Sequence, residues 1–169
     1  MLKLNQEQAQ VLSSKLRNTH SAAMRRRRAA VGLSMLGTAA LGVVALYQIG
    51  VLKHLPEPNV PGLDADKVDA SPDAYEWMST PDAALGMAIN TATAALASMG
   101  GPDRAKTQRH ISLLFGAKVM LDAINAGRLT VKQWTKHRAF CTWCLIAAGA
   151  TFATVPLAVA EVVEAFRKS

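Results

Sequence analysis

Residues 139–160 read AFCTWCLIAAGATFATVPLAVA and hold no charged side chain over 22 positions. Crossing a hydrocarbon core of ~30 Å takes about 20 predominantly apolar residues in a helix. The stretch is long enough to span a membrane, and it opens with the only two cysteines of the chain, Cys141 and Cys144. A second uncharged run covers residues 29–52, and a third, rich in Ala, Met and Leu, covers residues 83–101. A fourth apolar segment, residues 108–127, is interrupted by Lys118 and Asp122. These two lie four apart, share a helical face and can pair there, so the segment is read as a span. A short interfacial helix is the competing reading.

With half of its 169 residues hydrophobic, 18% charged and the apolar ones gathered in blocks, the chain is neither disordered nor a small disulfide scaffold. The blocks also argue against an ordinary soluble domain. The expected fold is all-α: a four-transmembrane-helix bundle over residues 29–165, preceded by a basic arm, residues 1–28. Local signals place the boundaries. Thr80-Pro81-Asp82 is a helix start, and Gly100-Gly101-Pro102 is a stop. Gly127 is expected to end the third helix, and Thr130 with Gln133 forms a capping-box pattern opening the last helical region. Small residues at Ala84, Ala88 and Ala92, and Gly149 in the last span, suggest close helix packing.

Basic residues set the expected orientation. The first 28 residues carry seven Lys or Arg, including Arg25-Arg26-Arg27-Arg28, whereas residues 53–82 carry two against seven acids. An N-in/C-in topology places 12 basic residues inside and six outside, with Lys118 in a span. Arg128, Lys132, Lys136 and Arg138 oppose it. Tyr47, Tyr75, Trp77, Trp134 and Trp143 all fall near the expected outer interface, where Tyr and Trp prefer to sit. The arginine run reads as a topology signal rather than a nucleic-acid site, because it abuts a span. The first apolar run is too long for a signal peptide, and no A-x-A site follows it before Pro56, so it is read as an anchor.

The chemistry-bearing motif is Cys141-Thr142-Trp143-Cys144. Thiols in C-x-x-C spacing close a small, reversible disulfide ring, and such a pair beside lipid can exchange two electrons with a membrane quinone. The competing reading is a pair of small buried hydrophobes. A c-type haem site is excluded because Leu145, not His, follows the second cysteine. His137, Cys141 and Cys144 fall on one face of a continuous helix, but a structural zinc site usually needs a fourth ligand and none stands nearby, so no metal is expected. His137, one turn before Cys141, either favours a thiolate there or is a solvated interfacial histidine. A helix starting after Thr130 leaves the cysteines beyond its first turn, where the dipole has faded.

The pattern resembles the vitamin K epoxide reductase family. The resemblance lies in the Thr80–Met87 phrase before the second span, in Phe140-Cys141-Thr142-Trp143-Cys144-Leu145 opening the fourth, and in the place of the pair in a four-span chain. It implies electron transfer between thiols and a menaquinone- or ubiquinone-like quinone, with Cys141 exchanging with another dithiol and Cys144 facing the quinone. Asn90, matched only by its place in the second span, either offers its amide to a quinone carbonyl or packs against a neighbouring helix. Two departures stand out. Residues 53–82 lack the family's cysteine pair, and Ala147 and Ala148 replace a tyrosine expected one turn past the second cysteine. A separate extracytoplasmic thioredoxin-like protein is the expected substitute for the missing relay. Two functions follow: a thiol–quinone oxidoreductase of the bacterial inner membrane, with no nucleic-acid partner, or a non-catalytic membrane subunit or assembly factor that keeps the bundle.

Overall fold

The computed structural model describes residues 5–76 and 78–167. Trp77 and Lys168 lie outside the described residues, as do positions 1–4 of the arm. The described residues are helical almost throughout, with one isolated bridge between Leu63 and Phe140. Helix α1 (Gln6–Asn18) opens with a capping box in which Asn5 and Gln8 satisfy each other's backbone N–H groups. Helix α2 (Ala22–Gln48) starts at Ser21, whose hydroxyl accepts from the Met24 N–H, so the helix takes in the whole arginine run. After the short α3 (Ala65–Asp69) and a 3-10 turn (Pro72–Tyr75) come α4 (Asp82–Ser98), α5 (Arg104–Thr107), α6 (Arg109–Lys132) and α7 (Thr142–Phe166).

Helix α2 packs against α4 and α7, α6 packs against α7, and α4 meets α6 more lightly. The four long helices thus enclose a common interior. Helices α2 and α7 are long and apolar enough to cross a membrane; α4 and α6 do not meet that measure. The side-chain distribution is inverted relative to a protein in water. Met35, Leu121, Ile124, Val163 and Phe166 are each more than half exposed, while the interior is built from Ala30, Ala97, Phe115, Val119 and Ala158 with polar pairs between them.

The inward faces differ from those expected. Ala84, Ala88, Ala92 and Gly149 all face outward. Helix α4 instead turns Ala83, Gly86, Asn90, Thr93 and Ala97 toward its neighbours, and a Cβ on Gly37 would come 2.8 Å from Asn90 Oδ1. Lys118 and Asp122 do pair. Thr93 joins them, its hydroxyl donating to Asp122 Oδ2 at 2.8 Å and accepting from Lys118 Nζ at 2.8 Å, so the pair cross-links α6 to α4.

The end of the bundle away from the cysteines is closed by buried ions. Arg104, 1% exposed, lies beside Glu161 and donates to it through two nitrogens at 2.6 and 3.0 Å, and Ser112 adds a third bond to the same carboxylate. Arg27, also buried, donates to the carbonyls of Ala97, Met99 and Gly101. It caps the free C-terminal carbonyls of α4, a structural task beyond the topology signal read from sequence.

Gly127 does not end the third helix, which continues to Lys132 and passes into a π-turn (Gln133–His137). Thr130 is therefore mid-helix, with its hydroxyl bonded back to the Ala126 carbonyl, and no capping box forms. The break comes at Arg138, whose φ of +54° is left-handed. A residue in that conformation cannot continue a right-handed helix.

Candidate functional site

Because the chain breaks at Arg138, α7 begins afresh at Thr142 with Cys141 as its N-cap. The Cys141 sulfur accepts the backbone N–H of Cys144 at 3.2 Å, in the place usually taken by a serine or aspartate oxygen. Both sulfurs therefore stand in the first turn of α7, at the positive end of its dipole, and not deep in a longer helix. Gln133 fixes the other side of the break: its Oε1 accepts the Cys141 N–H at 3.1 Å.

Both thiols are free. Cys141 is fully buried and Cys144 is partly exposed on the wall of a cavity of about 410 Å³. That size lies within the ~300–1,000 Å³ usual for small-molecule sites. All four long helices contribute to the lining: Leu41 and Val44 from α2, Leu85, Ile89 and Asn90 from α4, Asp122 and Asn125 from α6, and Ala147 and Thr151 from α7. Asn90 reaches the cavity, but its amide nitrogen donates to the Gly86 carbonyl at 3.1 Å and its side chain fills the space beside Gly37. Asn90 thus packs against α2 at the edge of the cavity.

Over the cysteines lies a cap made from the connection between α2 and α4. Phe140 N–H donates to the Gly62 carbonyl at 2.8 Å, and Asp64 N–H donates to the Phe140 carbonyl at 3.0 Å. The Trp143 indole donates to the Pro56 carbonyl, and the Thr142 hydroxyl donates to Glu57 Oε2. Tyr47, Tyr75, Trp134 and Phe140 gather here and hold cap to bundle: Tyr47 donates to the Asp66 carbonyl, Tyr75 donates to the Gln48 carbonyl, and Trp134 stacks on Phe140 at 5.4 Å. Val44, Leu55, Ala65, Val68, Ala83, Ala139 and Cys141 form the apolar core beneath.

His137 does not support Cys141. Its Nε2 lies 3.2 Å from Asp73 Oδ2, and Lys136 and Lys132 reach the same carboxylate at 2.7 and 3.2 Å. The two lysines, Lys136 foremost, hold the Asp73 carboxyl below its ordinary range. The break at Arg138 also removes His137 from the helical face that carries the cysteines.

The residue that sequence reading passed over is Asp69, the last of α3. It is 2% exposed, and the Cys144 thiol donates to its Oδ1 at 3.5 Å. Its carboxylate oxygen and the two sulfurs all lie within 4.8 Å of one another. Burial pushes its carboxyl up to about 6, and Asp82 and Glu57 add to the rise against the opposing hydrogen bonds from the cysteines. In the sequence Asp69 is one of seven acids between residues 53 and 82, which count only as charge. The alternation Ala65-Val68-Asp69 around a short buried turn was the available signal.

A family model described as the vitamin K epoxide reductase family matches residues 28–159, from the last arginine of the basic run into the final helix. No curated protein and no solved structure gave a match. The match takes in α2 from Arg28 onward and α4, α6 and most of α7. The chain belongs to the vitamin K epoxide reductase family.

Proposed function

We propose that the protein is a membrane thiol–quinone oxidoreductase that cycles Cys141 and Cys144 between dithiol and disulfide. The observation that carries this reading is the placement of Cys144 on the wall of a cavity lined by all four long helices, with Cys141 directly behind it. A quinone bound there accepts two electrons and two protons. The cavity suits a flat, largely apolar ring with a few polar edges: Leu41, Val44 and Leu85 offer apolar walls, and Asn90, Asn125 and Thr151 offer hydrogen-bonding groups. Cys144 meets the quinone, and Cys141 closes the disulfide from the protein side. A thioredoxin-like protein outside the cell membrane resets the pair in place of the absent loop cysteines.

In this reading all four long helices cross the membrane, N-in and C-in, in a bacterial inner membrane. The outward Leu121 and Ile124 of α6 support its insertion despite Lys118 and Asp122, whose charges are turned to Thr93. The test uses protein purified in detergent with a membrane quinone, following quinone absorbance as dithiothreitol is added. The parent consumes quinone, and Cys144→Ser and Cys141→Ser do not. Turnover by Cys144→Ser at the parent rate refutes the reading. A membrane-impermeant maleimide on sealed cells is expected to reach Cys144 from outside only.

A further inference from the structure

We propose that Asp69 is the proton acceptor of the cysteine pair, taking up the protons that leave Cys144 and Cys141 as their disulfide closes and passing them to the cavity. The inference rests on the thiol–quinone reading above. It begins from geometry. In the dithiol state the Cys144 thiol donates to Asp69 Oδ1 at 3.5 Å, and Asp69 also lines the cavity that Cys144 faces. One carboxylate thus touches a reacting sulfur and the space where protons must arrive.

The second observation is the other oxygen. Asp69 Oδ2 is buried with no hydrogen-bond partner among the described residues. Leaving a buried acceptor without a partner is destabilising. Asp73, four residues away, also has a buried oxygen without a hydrogen bond, but its charge is matched by Lys132, Lys136 and His137 within 3.2 Å. The groups facing Asp69 are Cys141 and Cys144 of α7, Asp82 at the head of α4, Glu57 of the outer loop and Tyr47 of α2. None is a cation, and His137, on the same cavity, is turned to Asp73. Such surroundings hold the carboxyl near the pH at which it both accepts and releases a proton readily, about 6.

The step balances as follows. Two S–H bonds break, one S–S bond forms, and two electrons pass to the quinone. The two protons pass in turn through the Asp69 carboxylate to the two oxygens of the quinol. At reset, an external dithiol reduces the disulfide, and its two protons return to the sulfurs.

The test separates Asp69 from the quinone. Reduced, full-length protein in detergent is oxidised with diamide, which removes the same two electrons and two protons. Closure is followed by loss of alkylatable thiol across roughly pH 5 to 8, bracketing the expected acid limb. The parent rate is expected to fall about tenfold per pH unit below about 6. Asp69→Asn is expected to lose the break near 6, its rate instead climbing steadily with pH as thiolate forms, and to close about tenfold or more slowly at neutral pH, while Asp69→Glu keeps a break at a shifted position. An Asp69→Asn profile that superimposes on the parent overturns the proposal. Should the Asn variant fail to fold, Asp69→Glu decides: a limb left unmoved in rate and position overturns it. The same preparations are then given quinone. A parent that closes with an Asp69-dependent limb but consumes no quinone refutes the thiol–quinone reading and leaves the role of Asp69 standing.

Discussion

Gln133 and Cys141 are joined across the helix break: the glutamine Oε1 at the start of the π-turn accepts the N–H of the cysteine that caps α7, at 3.1 Å. Both residues are buried, so no water replaces this acceptor. Gln133→Ala is expected to cost about 1–3 kcal/mol, the price of an orphaned buried N–H. Thermal unfolding in detergent checks the value, and Gln133→Glu, which keeps an acceptor oxygen, is expected to recover part of it.

Arg138 holds a left-handed backbone with φ +54°. Glycine adopts this conformation without a Cβ penalty, whereas a β-branched residue does not. Arg138→Gly is expected to leave the melting temperature unchanged or slightly raised. Arg138→Val is expected to lose about 1–2 kcal/mol and to slow quinone turnover, because the same break puts the cysteines in the first turn of α7.

Arg104 and Glu161 are buried together, 1% and 3% exposed. Removing one partner strands the other charge. Arg104→Met is expected to cost about 3–5 kcal/mol, and adding Glu161→Leu is expected to restore most of it. A double-mutant cycle on thermal unfolding gives the coupling.

Asp73 ties the 3-10 turn to the π-turn through Lys136, Lys132 and His137. Its carboxyl is held below the ordinary value, so the tether is present above about pH 4 and is lost as pH falls through the lowered native value. Limited proteolysis of the cap is expected to be slow at neutral pH and rapid only in strong acid. Asp73→Asn is expected to make it rapid at neutral pH.

Asp69 has the opposite sign. Its carboxyl is raised to about 6 in the folded chain, so the native state binds its proton more tightly than the unfolded state does. Stability from this group grows as pH falls from about 6 toward 4 and is absent at pH 8. Asp69→Asn is expected to be the more stable protein at pH 8, by about 1–3 kcal/mol, and to lose that part of the pH dependence. Melting curves of parent and variant at both pH values decide.

The three uncharged runs revealed α2, α4 and α7, and the i,i+4 spacing of Lys118 and Asp122 revealed α6 and their pairing on it. The inward faces were less legible, because small residues ring α4 and its outward face offers little polar contrast. Ala84, Ala88 and Ala92 matched the packing pattern as well as Ala83, Gly86 and Ala97 did. The break at Arg138 left no mark, since no glycine or proline stands there and the Thr130–Gln133 spacing mimics a cap. The cysteine pair stood out by residue type. Asp69 did not, because its partnership with Cys144 is made through space, between residues 75 apart in sequence.

The sealed position of Cys141 has a kinetic consequence. Four hydrogen bonds hold the cap at this point, from Phe140, Asp64, Trp143 and Thr142. At a net ~0.5–1.5 kcal/mol each, these four bonds alone keep the open fraction below roughly one molecule in thirty. The reaction of any dissolved thiol with that sulfur is throttled by the same fraction. Under the proposed function, the buried sulfur is thereby shielded from small-molecule short circuits at the cap, while Cys144 keeps its opening to the cavity.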